Sequence, residues 1–339
     1  MATSTGTWVK IAGEFPPTLV TNNPSRKLEV GETPNCTGIS PTAEGYMQTS
    51  SIPTVDTANV RQYTVGGNVY EWHYKRLFRF SGAQVIYGAP DYTTVYYPQG
   101  DGYEDLLESS GSILRMLPLG GKDLAFMRAS GTTVFVNAND NWARWFISDL
   151  VQEASIATAS HACELDGDIY FVNTDGFYKL SPNLTVDDIG FDVSGDITPA
   201  AVTADYNKKL IRIGATHIYD VKNKKFLKYS GSTFVYETPE LQINNQNITV
   251  TEVEIHYDAT SDTATEIKFE TQVENRGYND DNTLAIQPEE RSEVQSAHMQ
   301  IAPDTGKTFQ LKITTLPTAI KVTEIWVCLE GYVPESRDS

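Results

Sequence analysis

The chain has 339 residues, 40% of them hydrophobic, 11% aromatic and 21% charged, with a formal net charge of −18. That balance excludes a disordered acidic chain and argues against a sequence-reading DNA binder, because an acidic surface repels phosphate. The length exceeds what one ordinary core serves, so two domains are expected. No run approaches the ~20 apolar residues of a membrane-spanning helix, so no membrane insertion is expected.

The acidity is uneven. From Glu240 onward there are 18 Asp and Glu against 7 Lys and Arg, so most of the excess lies in the last hundred residues. Solubility is the plain reading of such charge. A negatively lined passage for DNA is the functional one. Cys36, Cys163 and Cys328 are odd in number and form no CxxC, which reads as free buried thiols from a reducing cytoplasm. The opening MATSTGTWVK has no apolar core segment, so no signal peptide is expected.

Residues 1–60 are rich in Pro, Thr and Asn and read as an extended arm, with short strands predicted at Trp8–Ile11 and Thr18–Val20. Residues 61–238 carry a strand-turn-strand block four times: Lys75–Gly88, Lys122–Val136, Leu165–Leu180 and Lys208–Tyr229. The first strands begin near Leu77, Leu124, Ile169 and Leu210, at offsets of 47, 45 and 41 residues. Short strands at a period of ~40–50 residues are the signature of propeller blades. Runs such as Ile169–Val172 lack alternation, as expected of strands covered on both faces. Turns are predicted at Ser81-Gly82, Ser130-Gly131, Asp175-Gly176 and Gly214-Ala215. Further strands are expected at Val69–Trp72, Ser112–Leu117, Trp142–Ile147, Ser160–Leu165, Ala200–Thr203 and Phe226–Tyr229. The best helical candidate, 149–157, is short.

Residues 239–339 change character. Val253, Ile255 and Tyr257 alternate with Glu252, Glu254 and His256. Phe309, Leu311 and Ile313 alternate with Gln310 and Lys312, and Ile325, Val327 and Leu329 close the pattern. This is the period of antiparallel strands with one wet face. The expected fold class is therefore all-β: a propeller of about four to six blades followed by a small C-terminal β-sandwich or jelly roll. The stretch Asn275–Thr283 reads as a loop.

Motifs for chemistry are scarce. The five histidines are dispersed and form no HExxH, so each reads as a surface or strand residue. Asp166-Gly167-Asp168 and Asn173–Gly176 look at first like a calcium loop. The apolar Ile169–Val172 divides them, and paired hairpin turns fit better. No nucleotide or hydrolase fingerprint is present, so no enzyme activity and no cofactor are expected. Two interaction surfaces are nominated. Lys222, Lys224, Lys225 and Lys228 form a basic patch that would contact an acidic neighbour or a DNA backbone, or stand as a solvated hairpin tip. Trp142 and Trp145, flanking Arg144, would stack on sugars or pack between blades.

Arg76–Pro90 (RLFRFSGAQVIYGAP) resembles a stretch in the tail nozzle, or tail tubular, proteins of short-tailed bacteriophages. The order of the following blocks is similar too: Gly111–Leu117, Gly120–Phe126, Thr133–Val136 and Asp166–Leu180. The resemblance covers roughly residues 61–185. It implies a structural virion protein of the tail, assembled in the host cytoplasm. It further implies a ring, commonly a hexamer, that contacts adaptor or portal proteins and fibres while genomic DNA passes through. It carries no catalytic residue. The alternative is a receptor- or carbohydrate-binding propeller module, with Trp142, Trp145, Tyr92, Tyr96 and Tyr97 supplying the aromatic surface.

Overall fold

The computed structural model describes residues 7–13, 18–19, 32–33, 36–37, 47, 62–65, 68–73, 76–87, 102–105, 111–138, 145–190, 193, 197, 199–229, 234–242, 247–261, 263–274, 276–287 and 295–330. They are overwhelmingly extended, which bears out the all-β class. Among them no helix is long and apolar enough to cross a membrane. By internal contacts the chain divides into two compact units. One joins Met1–Pro53 to Thr216–Ser339, and the other is Thr54–Ala215. Composition places the divisions at 60 and 238 instead, since contacts register a chain that returns to an earlier partner and composition does not.

The chain starts with β1 (Thr7–Ala12) and the two-residue strands β2 (Thr18–Leu19), β3 (Glu32–Thr33) and β4 (Cys36–Thr37). It then enters the second unit. There β5 (Gln62–Val65), β6 (Asn68–His73), β7 (Arg76–Ser81), β8 (Gln84–Tyr87) and β9 (Gly102–Asp105) pair in chain order as one antiparallel sheet. The next is β10 (Arg115–Leu119), β11 (Asp123–Arg128), β12 (Gly131–Val136) and β13 (Phe146–Ile147). A third follows with β14 (Ala162–Leu165), β15 (Asp168–Val172), β16 (Phe177–Leu180) and β17 (Val186–Asp188). The unit closes on the hairpin β18 (Val202–Asp205) and β19 (Leu210–Ile213).

Packing explains why these strands lack alternation. All six residues of β11 are buried. One face of its sheet (Leu117, Leu119, Ala125, Met127, Val134) packs on Ala162, Ile169, Phe171 and Leu180 of the following sheet. The opposite face (Met116, Leu124, Phe126, Phe135) packs on Phe78, Val85 and Tyr87 of the preceding one. A strand covered on both sides selects apolar residues at every position. The first strands of successive sheets, β10, β14 and β18, are neighbours.

Turn chemistry agrees with the sequence in kind. Leu165 pairs with Asp168, and the two residues between them, Asp166 and Gly167, have φ of 57° and 90°. Two consecutive left-handed residues match the twist of the flanking strands. The supposed calcium loop is thus a hairpin turn, a strand and a second turn. The turn predicted at Ser130-Gly131 lies one residue earlier, because Arg128 already pairs with Gly131. The 149–157 segment is not helical. Val151 bridges Thr132, and the Thr132 hydroxyl donates to the Ala154 carbonyl, which holds the segment against β12.

Back in the first unit, β20 (His217–Asp220) and β21 (Lys225–Lys228) form a hairpin. The remaining strands are β22 (Val235–Glu237), β23 (Leu241–Gln242), β24 (Ile248–Ala259), β25 (Thr265–Val273), β26 (Asn279–Ile286), β27 (Gln295–Gly306), β28 (Thr308–Thr315) and β29 (Ile320–Glu330). They make two antiparallel sheets, β1-β29-β24-β27 and β26-β25-β28-β22-β4, with β23 also on β28. β24 touches β28 and β25 touches β27 across the sheets. Burial alternates along β28, and Phe309, Leu311 and Ile313 are the buried set. β26 corrects the expectation of a loop over Asn275–Thr283. Its start is polar, but Leu284 and Ile286 point inward and Lys268 and Phe269 of β25 supply its backbone partners. Cys163 and Cys328 are buried free thiols, as expected.

Candidate functional site

The wet face of the sheet β1-β29-β24-β27 gathers a connected set of polar and aromatic side chains. Its composition follows from register. Residues two apart share a face. With Val253, Ile255, Ile325 and Val327 buried, the residues between them face the other way. One rung across the four strands reads Lys10, Trp326, Glu254, His298. The rung beside it reads Trp8, Cys328, Glu252, Gln300. On the other side Glu324 pairs with His256 and His256 with Ser296. The β-bulge at Val250/Glu252 precedes this block on β24, and the irregularity at His256/Tyr257 follows it.

The side chains are organised by one another. Glu324 is the hub. Its Oε1 accepts from Lys10 Nζ at 2.8 Å, and its Oε2 accepts from Trp326 Nε1 at 2.8 Å. His256 lies between two carboxylates, with Nδ1 3.4 Å from Glu324 and Nε2 3.2 Å from Glu254. The imidazole also stacks on the Trp326 indole, with centroids 6.1 Å apart and planes at 29°. Lys10, Glu254, His256 and Glu324 keep between 25% and 34% of their side-chain surface. They are held in place and still reachable. Hydrogen bonding to Lys10 holds the Glu324 carboxyl below the usual carboxylate range; partial burial opposes this, and Trp326, the Lys10 charge and His256 add to it. Glu252 is 8% exposed, and its Oε1 accepts a long hydrogen bond, 3.4 Å, from Gln300 Nε2.

Such a face can do two things at once. An indole offers a flat apolar surface to one side of a ring-shaped ligand. Carboxylates, imidazoles, an amide and an ammonium around it exchange hydrogen bonds with hydroxyls. Among the described residues, no set of three or more His, Cys, Asp or Glu side chains is placed to hold a metal ion.

The residues nominated from sequence lie elsewhere. Lys222 and Lys224 are exposed at the β20–β21 turn, Lys224 with a left-handed φ of 55°. Lys225 and Lys228 are half-buried on β21, paired with Asp220 and His217. Trp145 is part of a core. Its ring sits 5.8 Å from Phe78, 4.9 Å from Tyr87 and 5.9 Å from Phe135. Trp142, Tyr92, Tyr96 and Tyr97 lie outside the described residues. The sequence reading missed Trp8, Lys10, Glu324 and Trp326. The signal for Trp326 was available, since it alternates with Ile325 and Val327. That β1 lies beside β29 was not legible.

No family model matches the chain, and no curated protein matches it. Among solved structures it is similar to an exo-β-1,3-galactanase from Phanerochaete chrysosporium with galactose, at 12% identity and a TM-score of 0.21, covering 84% of this chain and 69% of that one. A Cry1Da tryptic core variant from Bacillus thuringiensis gives 10% identity and a TM-score of 0.20, over 80% and 50% of the two chains. A family 43 arabinoxylan arabinofuranohydrolase from Bacillus subtilis in complex with cellotetraose gives 9%, 0.20, 87% and 69%. Likenesses this low carry no argument about activity. The expectation of a phage tail subunit is corrected only in this sense: these solved structures are glycoside hydrolases and a Cry protein, and none of them is a tail nozzle. The blocks that carried that resemblance are hydrophobic strands and hairpin turns, whose residues are set by burial in any stack of short sheets.

Proposed function

We propose that the protein is a non-catalytic carbohydrate-binding module, with a β-propeller in one unit and a β-sandwich in the other. The sheets β5–β9, β10–β13 and β14–β17 are its first three blades, and β18–β19 opens a fourth. Support comes from sheets that follow one another in chain order, pack face to face and keep their first strands adjacent. The sandwich reading rests on two antiparallel sheets with alternating burial whose strands touch across the layer.

The observation that carries the function is the Trp326 rung. An indole flanked by Lys10 and Glu254, with Glu324 and His256 on the next rung, matches what a sugar ring presents: one apolar face and a rim of hydroxyls. The carboxylates here are engaged by Lys10, His256, Trp326 and Gln300. That is the arrangement of a fixed binding surface.

A glycan microarray probed with the full chain and with Trp326→Ala tests the proposal. The wild-type protein should be retained on at least one glycan. The variant should lose roughly tenfold or more in affinity, about 1.4 kcal/mol. A blank array for the wild type, or equal retention of both proteins, overturns the reading.

A further inference from the structure

We propose that the face takes a chain of sugars and not a single ring. Trp8 is a second platform, set diagonally to Trp326, and the ligand is a linear oligosaccharide of equatorially linked hexoses laid across both indoles. The inference rests on the carbohydrate-binding reading and adds to it the length of the ligand and the residue that reads that length.

The placement follows from register. On β1, Val9 is the partner of the buried Val327, so Trp8 and Lys10 point to the wet side, opposite Cys328 and Trp326. Both keep part of their surface. Trp8 and Trp326 are therefore diagonal neighbours on adjacent strands. A contact shows which diagonal brings side chains of β1 and β29 together. Lys10 is directly opposite Trp326, yet its ammonium reaches Glu324, one rung along, at 2.8 Å. Trp8 stands to Trp326 as Lys10 stands to Glu324. The same line continues onto β24. Glu254 is directly opposite Trp326, but the ring stacked on the indole is that of His256, one rung further. Trp8, Trp326 and His256 thus form an oblique row across β1, β29 and β24.

Trp8 is not spent on another ring. Trp145 meets three aromatic side chains, whereas Trp8 has no ring contact among the described residues. Its cross-strand partner, Cys328, is small and has no exposed surface, so that neighbour does not hold a ligand off the indole. Diagonal neighbours on one sheet face lie ~7–8 Å apart, too far for one pyranose to cover both indoles and within reach of two joined ones. A hexose with equatorial hydroxyls and linkages shows apolar C–H groups on both faces, so successive rings of a straight chain can each lie on an indole. Lys10 is next to Trp8 on β1 and opposite Trp326. Its ammonium has three donors and Glu324 takes one, which leaves donors for the hydroxyls of the second ring. A branched glycan or a lone terminal sugar would use one platform and leave the other.

Titration of the full chain with glucose, cellobiose and cellotriose, followed through the indole N–H resonances, tests the inference. Glucose should move the Trp326 signal alone. Cellobiose and cellotriose should move Trp8 and Trp326 together, and cellotriose should bind about tenfold tighter than glucose. Trp8→Ala should bind glucose as the wild type does and lose the gain with length, and Trp8→Tyr should keep most of that gain. A Trp8 signal that stays in place throughout, a gain with length that survives Trp8→Ala, or equal binding of all three sugars overturns this inference and leaves the carbohydrate-binding reading standing. Binding of none of them, while the array retains some other glycan, does the same. Binding of none, together with a blank array, overturns both.

Discussion

The two units use β-strands in opposite ways. In Thr54–Ala215 the strands of the central sheets run two to six residues, and β11 is buried along its whole length because both of its faces are covered. In the other unit the strands β24, β27 and β29 run 12, 12 and 11 residues. Burial there alternates over most of β24 and β29, and Lys10, Glu254, His256 and Glu324 keep part of their surface, while Glu252 and Cys328 at one end of the same face are buried. The difference teaches where function can reside. A strand packed on both sides, as β11 is, has no side chain left for a ligand, whereas a half-covered strand presents a position every second residue. The two tryptophans express the contrast. Trp145 is spent on Phe78, Tyr87 and Phe135, and Trp326 stands among ionic groups.

The comparison is broken most forcefully by truncating the doubly covered sheet. Phe126 has no exposed surface and meets Phe135 edge-on at 4.9 Å. Phe126→Ala should cost about 3–5 kcal/mol in urea unfolding, whereas Trp326→Ala on the wet face should cost about 1–2 kcal/mol. Equal losses would mean the wet face is buried too. Next in size is Gly131→Ala. Gly131 has φ of 138°, and a Cβ there would lie 2.6 Å from the Val151 carbonyl oxygen and 2.9 Å from the Gln152 Cα. Backbone atoms on a bridged segment do not yield easily, so a loss of about 1–3 kcal/mol is expected from the same measurement.

The smallest effect belongs to the wet face and reads out in pH. The native pKa of Glu324 is depressed. Its contribution is therefore present above the unfolded carboxylate value of about 4.3 and is lost as pH falls through the lower native value. The urea midpoint of the wild type should fall between about pH 5 and pH 3. Glu324→Gln should flatten part of that fall and lower the midpoint at neutral pH. An unchanged acid limb would show that the Lys10–Glu324–Trp326 contacts contribute nothing to folding.

How much of this was legible in the sequence follows the same divide. The repeated blocks were visible because double burial writes itself as unbroken apolar runs, as in Ile169–Val172. The wet face was half visible: Glu252, Glu254 and His256 fall on one side of β24 by alternation alone. The rest depended on register. The Lys10–Glu324 pair joins residues 314 apart in the chain, and nothing local marks β1 as the neighbour of β29. Trp145 was open to sugar stacking or to packing between blades, and its three aromatic partners, Phe78, Tyr87 and Phe135, decide for packing. The polar start of β26 read as a loop because an outer strand needs apolar residues only where it turns inward, at Leu284 and Ile286.

Which indole meets the ligand decides whether the protein binds carbohydrate on this face. The chain has 5 tryptophans, so its indole N–H resonances are few enough to follow individually during a titration with the glycan selected on the array. The Trp326 signal should move in step with occupancy, and the Trp145 signal should stay in place. A titration in which Trp145 responds and Trp326 does not would contradict the assignment of the site.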